Sequence, residues 1–252
     1  MNVFMYVIRE MQDAVDDCEN GCTTGECNMD PVNALDEAVA FYTGSLVKAD
    51  PKGGVLLYTL AQKRCENFKT CGDDGVAAIN TEIFTQFQAA QQNFKAAKCA
   101  DAQKNIDKVK AMMAVPLIQG TLRYAHIIGE EGGMTEKAEA EGATFAAAVL
   151  PILHACNAAD ATTVYNNMKT GSGAAKDFAA VKKAFEENYE CMGITCAEVG
   201  GLVQADLETY FPGAEPCGNA GNASNGSSSS VLLGRAGLAM MAFAAAIAVL
   251  IA

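Results

Sequence analysis

The chain has 252 residues, half of them hydrophobic, with no tryptophan and a formal net charge of −12. That length can bury a substantial core as one large domain or two small halves, and the alanine-rich apolar content favours closely packed helices. The acidity excludes a nucleic-acid-binding face and charge-driven adhesion to anionic lipid, both of which need a basic surface.

Helical periodicity dominates, and no alternating strand pattern with hairpin turns appears. The predicted helices run through 2–18, 31–47, 55–69, 76–98, 101–128, 135–156, 160–169, 174–190 and 196–210. Asp30-Pro31 places a capping side chain before a first-turn proline, and Thr135 can cap the helix that follows it. Gly53-Gly54, Gly72-Asp-Asp-Gly75, Gly132-Gly133 and Gly171-Ser-Gly173 break the pattern. The fold class is therefore all-α, a helical bundle.

The stretch NALDEAVAFYTGSL (33–46) places Glu37 in register with Ala34, Phe41 and Gly44, an otherwise small or apolar stripe. An inward carboxylate there must be protonated, paired with a cation or bound to a metal. A helix-start acid that reaches solvent and favours the N-terminal dipole is the other reading. Both readings stand on the residues alone; with Glu37 inward, Asp36 faces solvent. DEAVAFYTGSL (36–46) also aligns without gaps on AEGATFAAAVL (140–150), keeping Glu37/Glu141, Phe41/Phe145 and Leu46/Leu150. This echo leaves open a duplicated bundle, with halves at 1–115 and 116–217 divided near Val115-Pro116.

In LAQKRCENFKTC, Arg64 could neutralise a buried acid or hold an anion through its planar fork. In VPLIQGTLRYAHIIGEE (115–131), Gln119, Arg123, His126 and Glu130 form one polar stripe, either a solvated face or the lining of a groove. Tyr124 falls on the neighbouring apolar side with Leu117 and Ile128. His154 lies beyond Pro151, which can kink the helix, and nearly opposite Glu141 on a straight one; a packed core histidine is the simpler reading. The sequence has no GxSxG elbow, P-loop, HExxH or dinucleotide fingerprint, so catalysis is not expected.

Ten cysteines with spacings that match no common zinc template point to disulfides in an oxidising compartment. Short loops predict local bridges Cys65–Cys71 and Cys191–Cys196. A Gly/Asn/Ser linker (218–235) carries two glycosylation sequons, at Asn222 and Asn225, and leads to an apolar run over 236–252. That run reads as a GPI attachment signal, with a tail-anchored helix as the alternative. The opening residues form no signal peptide, which implies that the true start lies upstream and that Met1 falls inside a helix.

NALDEAVAFYTGSL and GGVLLYTLAQKRCENFKTC, with VPLIQGTLRYAH and EGATFAAAVLPILHACNAADATTVYNNM, resemble the algal Fe-assimilating, low-iron-inducible periplasmic protein family, to which the phytotransferrins are related. The likeness spans about residues 30 to 200. It implies an extracytoplasmic helical protein that binds ferric iron for uptake, with carbonate as a coupled anion and a surface reductase or permease downstream. The positions that match by residue type are Glu37, Tyr42, Tyr124 and Glu141 for the metal, with His126 or His154 as extra ligands. Arg64 or Arg123 would hold the anion. Hard oxygen donors suit a small, highly charged ferric ion, whereas thiolates suit softer metals. The competing reading is a GPI-anchored structural or protein-binding surface protein without metal.

Overall fold

The computed structural model describes residues 2–21, 30–44, 56–171, 176–204 and 209–217. The linker, the apolar run, Asn222, Asn225, Cys22 and Cys27 lie outside them. Among the described residues no helix is long and apolar enough to cross a membrane.

The fold is all-α. Helix α1 (Asn2–Glu19) buries Val7, Met11, Ala14 and Val15 at helical spacing and packs along α2 (Pro31–Thr43). Asp30 caps α2 by accepting from the Val32 and Asn33 N–H groups at 2.9 and 3.0 Å, with Pro31 in the first turn as expected. Helices α3 (Leu57–Phe68), α4 (Ala78–Lys95) and α5 (Cys99–Met112) follow. Next comes α6 (Val115–Gly129), which is central: Val115, Ile118, Gln119, Thr121, Leu122 and Ala125 are all buried. Around it pack α3, α7 (Glu136–Cys156) and α9 (Phe178–Glu186), with α8 (Ala158–Met168) against α7.

The helix expected over 101–128 is two helices. Pro116 supplies no N–H to continue the ladder from α5, and the chain turns at Met113 and Ala114. The turn is itself core, since Met112, Met113, Ala114 and Val115 are at most 1% exposed. Met1–Gly218 forms one compact unit.

The helix expected over 196–210 stops after one turn. Helix α10 (Cys196–Val199) ends at Gly200 with φ 70°. A side chain there would bring Cβ within 2.3 Å of the Phe68 carbonyl oxygen, so only glycine fits this backbone. The chain then forms a two-stranded antiparallel ribbon, β1 (Val203–Gln204) and β2 (Thr209–Tyr210), with Val203 opposite Tyr210.

Cys65–Cys71 is a disulfide, as the short loop predicts. Cys191–Cys196 is not. Cys191 pairs with Cys156 at the end of α7, and Cys196 pairs with Cys217. The chain turns at Gly193, φ 74°, and restarts at the Thr195 cap of α10 between the two cysteines, and each meets a partner distant in sequence. Cys18–Cys99 joins the end of α1 to the start of α5.

Candidate functional site

Helices α6 and α7 approach closely because two glycines lie between them. A Cβ at Gly120 would sit 2.6 Å from the Phe145 ring, and one at Gly142 would sit 3.0 Å from Cβ of Tyr124. The absence of both side chains lets the Tyr124 and Phe145 rings stack, with centroids 5.8 Å apart and planes 16° apart. Glu141 and Phe145 are four residues apart on α7 and so share a face. In that arrangement the Tyr124 hydroxyl donates to the Glu141 carboxylate. Lys137, one turn earlier, places Nζ 3.9 Å from the other carboxylate oxygen.

From α3, Arg64 extends over the same face, its guanidinium carbon 5.7 Å from the Phe145 centroid. Nη1 of Arg64 donates to Asn67 Oδ1 at 2.7 Å, while its Nε is buried with no hydrogen-bond partner among the described residues. Arg123 follows from α6, 5.5 Å from the Tyr124 centroid. Burial first, then the neighbouring Arg123 charge, weakens the hold of Arg64 on its proton, though a guanidinium stays charged regardless. Burial and the bond to Glu141 push the Tyr124 phenol above the ordinary tyrosine range.

Arg64, Tyr124, Glu141 and Phe145 border a groove of about 570 Å³. Arg64, Tyr124 and Glu141 face it together with Lys63, and Leu57, Leu60, Leu117 and Ala148 supply apolar walls. Of the residues expected at a site, the structure thus brings together Arg64, Arg123, Tyr124 and Glu141.

The others are elsewhere. Glu37 is exposed and Asp36 is half-buried, the reverse of the expected orientation; burial raises the Asp36 carboxyl above its usual range. The Glu37 charge acts instead on Glu10 of α1, adding to burial in raising its carboxyl. Tyr42 is wholly buried among Tyr58, Phe84 and Phe87. Its hydroxyl donates to Asn80 Oδ1 at 2.5 Å, and burial drives the phenol far above its usual range, so it is a core tyrosine. His126 is 3% exposed, with Nδ1 2.9 Å from Glu131 Oε1 and Phe178 and Phe211 against its ring. His154, expected in the core, is exposed. The stripe with Gln119 is not a solvated face, because Gln119 is buried and donates to the Val199 carbonyl at 2.8 Å.

Sequence reasoning missed Lys63, Lys137 and the role of Phe145 in the groove. Phe145 was visible in the 140–150 echo, one turn from Glu141. Among the described residues no three His, Cys, Asp or Glu side chains gather where they could share a metal ion. The chain matches no protein-family model, no characterised protein and no solved structure.

Proposed function

We propose that the chain is an extracytoplasmic ferric-iron-binding protein supporting iron assimilation, with Tyr124 and Glu141 as metal donors and a carbonate held by Arg64 and Arg123. The observation that carries this reading is the Tyr124 hydroxyl on the Glu141 carboxylate beside two arginines. A phenolate and a carboxylate are the hard donors that a ferric ion favours. Two protein oxygens leave most coordination positions open, so a co-bound anion and water would have to fill them. The arginines are where such an anion would be held. Glu37, Tyr42, His126 and His154 lie apart from this group and leave the ligand set. The long-range disulfides support an oxidising compartment. In this reading the apolar C-terminal run anchors the chain at the cell surface, and a reductase or permease receives the iron.

The test is titration of ferric iron, supplied from a nitrilotriacetate complex, into wild-type, Glu141→Gln and Tyr124→Phe proteins with and without bicarbonate. Wild-type protein should bind more tightly with bicarbonate, and each variant should lose at least tenfold in affinity while melting within a few degrees of wild type. Equal binding by all three would remove this pair from the site. No binding by any would favour a metal-free surface protein that engages other proteins.

A further inference from the structure

We infer that the groove between α3, α6 and α7 selects an organic carboxylate with an apolar body, its carboxylate on Arg64 and its body against Leu57, Leu60, Leu117 and Phe145. This rests on the reading of Arg64 as an anion holder given above, but not on iron. Three observations converge on it.

The first is size. At about 570 Å³ the groove falls in the range of pockets for small organic molecules, roughly 300–1,000 Å³. A carbonate occupies only the space of a few waters, roughly 100 Å³ at ~30 Å³ each. The second is wall chemistry. Most of the lining is aliphatic or aromatic, which gains nothing from a small, strongly hydrated anion but gains hydrophobic free energy from a hydrocarbon body. The third is charge. In a chain of net charge −12, the residues lining this groove set Lys63 and Arg64 against one carboxylate, Glu141, which Tyr124 and Lys137 already engage. Arg64 brings a buried Nε–H with no acceptor among the described residues. An unmet donor of this kind is costly, and a carboxylate laid along that edge of the guanidinium after a small turn of the side chain would satisfy it. The Phe145 ring beneath the guanidinium holds its plane where an aryl body can lie beside it. An aryl carboxylate meets all three demands at once.

The test uses metal-free full-length protein and calorimetric titration with benzoate, acetate, bicarbonate and benzyl alcohol. Benzoate should bind at least tenfold more tightly than acetate or bicarbonate, which lack the body, and than benzyl alcohol, which lacks the charge. Arg64→Gln should abolish the preference for benzoate over benzyl alcohol, and Arg64→Lys, which keeps the charge without the fork, should fall between. Leu60→Gln should weaken benzoate while leaving acetate unchanged. Equal affinity for benzoate and acetate, or benzoate binding that survives Arg64→Gln, would overturn the inference. Ferric binding with bicarbonate but no benzoate binding would sink this inference alone, whereas benzoate binding without ferric binding would sink only the iron reading.

Discussion

Tyr124 must lose its proton to bind a ferric ion, and its surroundings oppose that loss. Burial disfavours the phenolate, and the hydrogen bond to Glu141 favours the phenol. The group is therefore protonated throughout the neutral range, and a ferric ion bound there would displace that proton. In the proposed reading affinity therefore rises with pH, by about tenfold per unit for the Tyr124 proton and by as much again where bicarbonate binds as carbonate. Ferric titrations between about pH 5.5 and 7.5, corrected for hydrolysis of the free ion, should show this slope in wild type and lose about one proton's worth of it in Tyr124→Phe. An unchanged slope would mean that Tyr124 is not a ligand. Asp36 and Glu37 show where residue-level reading stops. Helical geometry sets neighbouring side chains about 100° apart, so one facing in implies the other facing more outward. It does not say which one. The stripe judged apolar because it contains Phe41 is half-open, since Phe41 is 37% exposed and stacks on the exposed Tyr6. The buried stripe is Ala34, Leu35, Ala38 and Tyr42. Which stripe faces inward is decided by the packing of α2 against α1, α3 and α4 together, contacts not local in sequence.

At the scale of the element, most helices were legible because caps, prolines and glycines mark their ends, as at Asp30-Pro31 and Thr135. The failures came where a local helical pattern met a tertiary demand. Pro116 splits 101–128, and the backbone of Gly200 against the Phe68 carbonyl ends α10. The site was legible in its residue types, Arg64, Tyr124 and Glu141, but not in its assembly, which depends on how closely two helices meet. Gly120 sets that distance. Gly120→Ala improves helix propensity, a gain of up to about 1 kcal/mol. It also forces Cβ into a ring whose nearest atoms lie 2.6–2.9 Å away, an overpacking cost of about 1–3 kcal/mol. We expect a net loss, read as a melting temperature lower by a few degrees, together with weaker ligand binding as Phe145 is displaced. A variant that melts higher and binds as before would show that Phe145 has room to move.

For the whole molecule, Cys18–Cys99 closes the longest loop among the described disulfides, 81 residues in sequence separation. It joins α1 to α5. From chain entropy such a closure stabilises by about 4.5 kcal/mol, against about 2 kcal/mol for the short Cys65–Cys71 loop. Replacing Cys18 and Cys99 by alanine should therefore lower the denaturant midpoint more than replacing Cys65 and Cys71. The reverse order in equilibrium unfolding would show that unfolded-state structure, not loop length, governs these bridges. The pairing itself was only partly legible. A bridge within six residues, such as Cys65–Cys71, is readable from loop length, whereas Cys156–Cys191 and Cys196–Cys217 depend on a turn that carries neighbouring cysteines apart.

Cys217 lies at the last described position, bonded to Cys196 on α10 across 21 residues. Tension applied to the chain beyond it would pass through sulfur into α10 and onward to the α6 core, bypassing the ribbon β1–β2. The two-residue ribbon is thus mechanically shunted, and a pull from that end would load the helical core before it could peel the ribbon away.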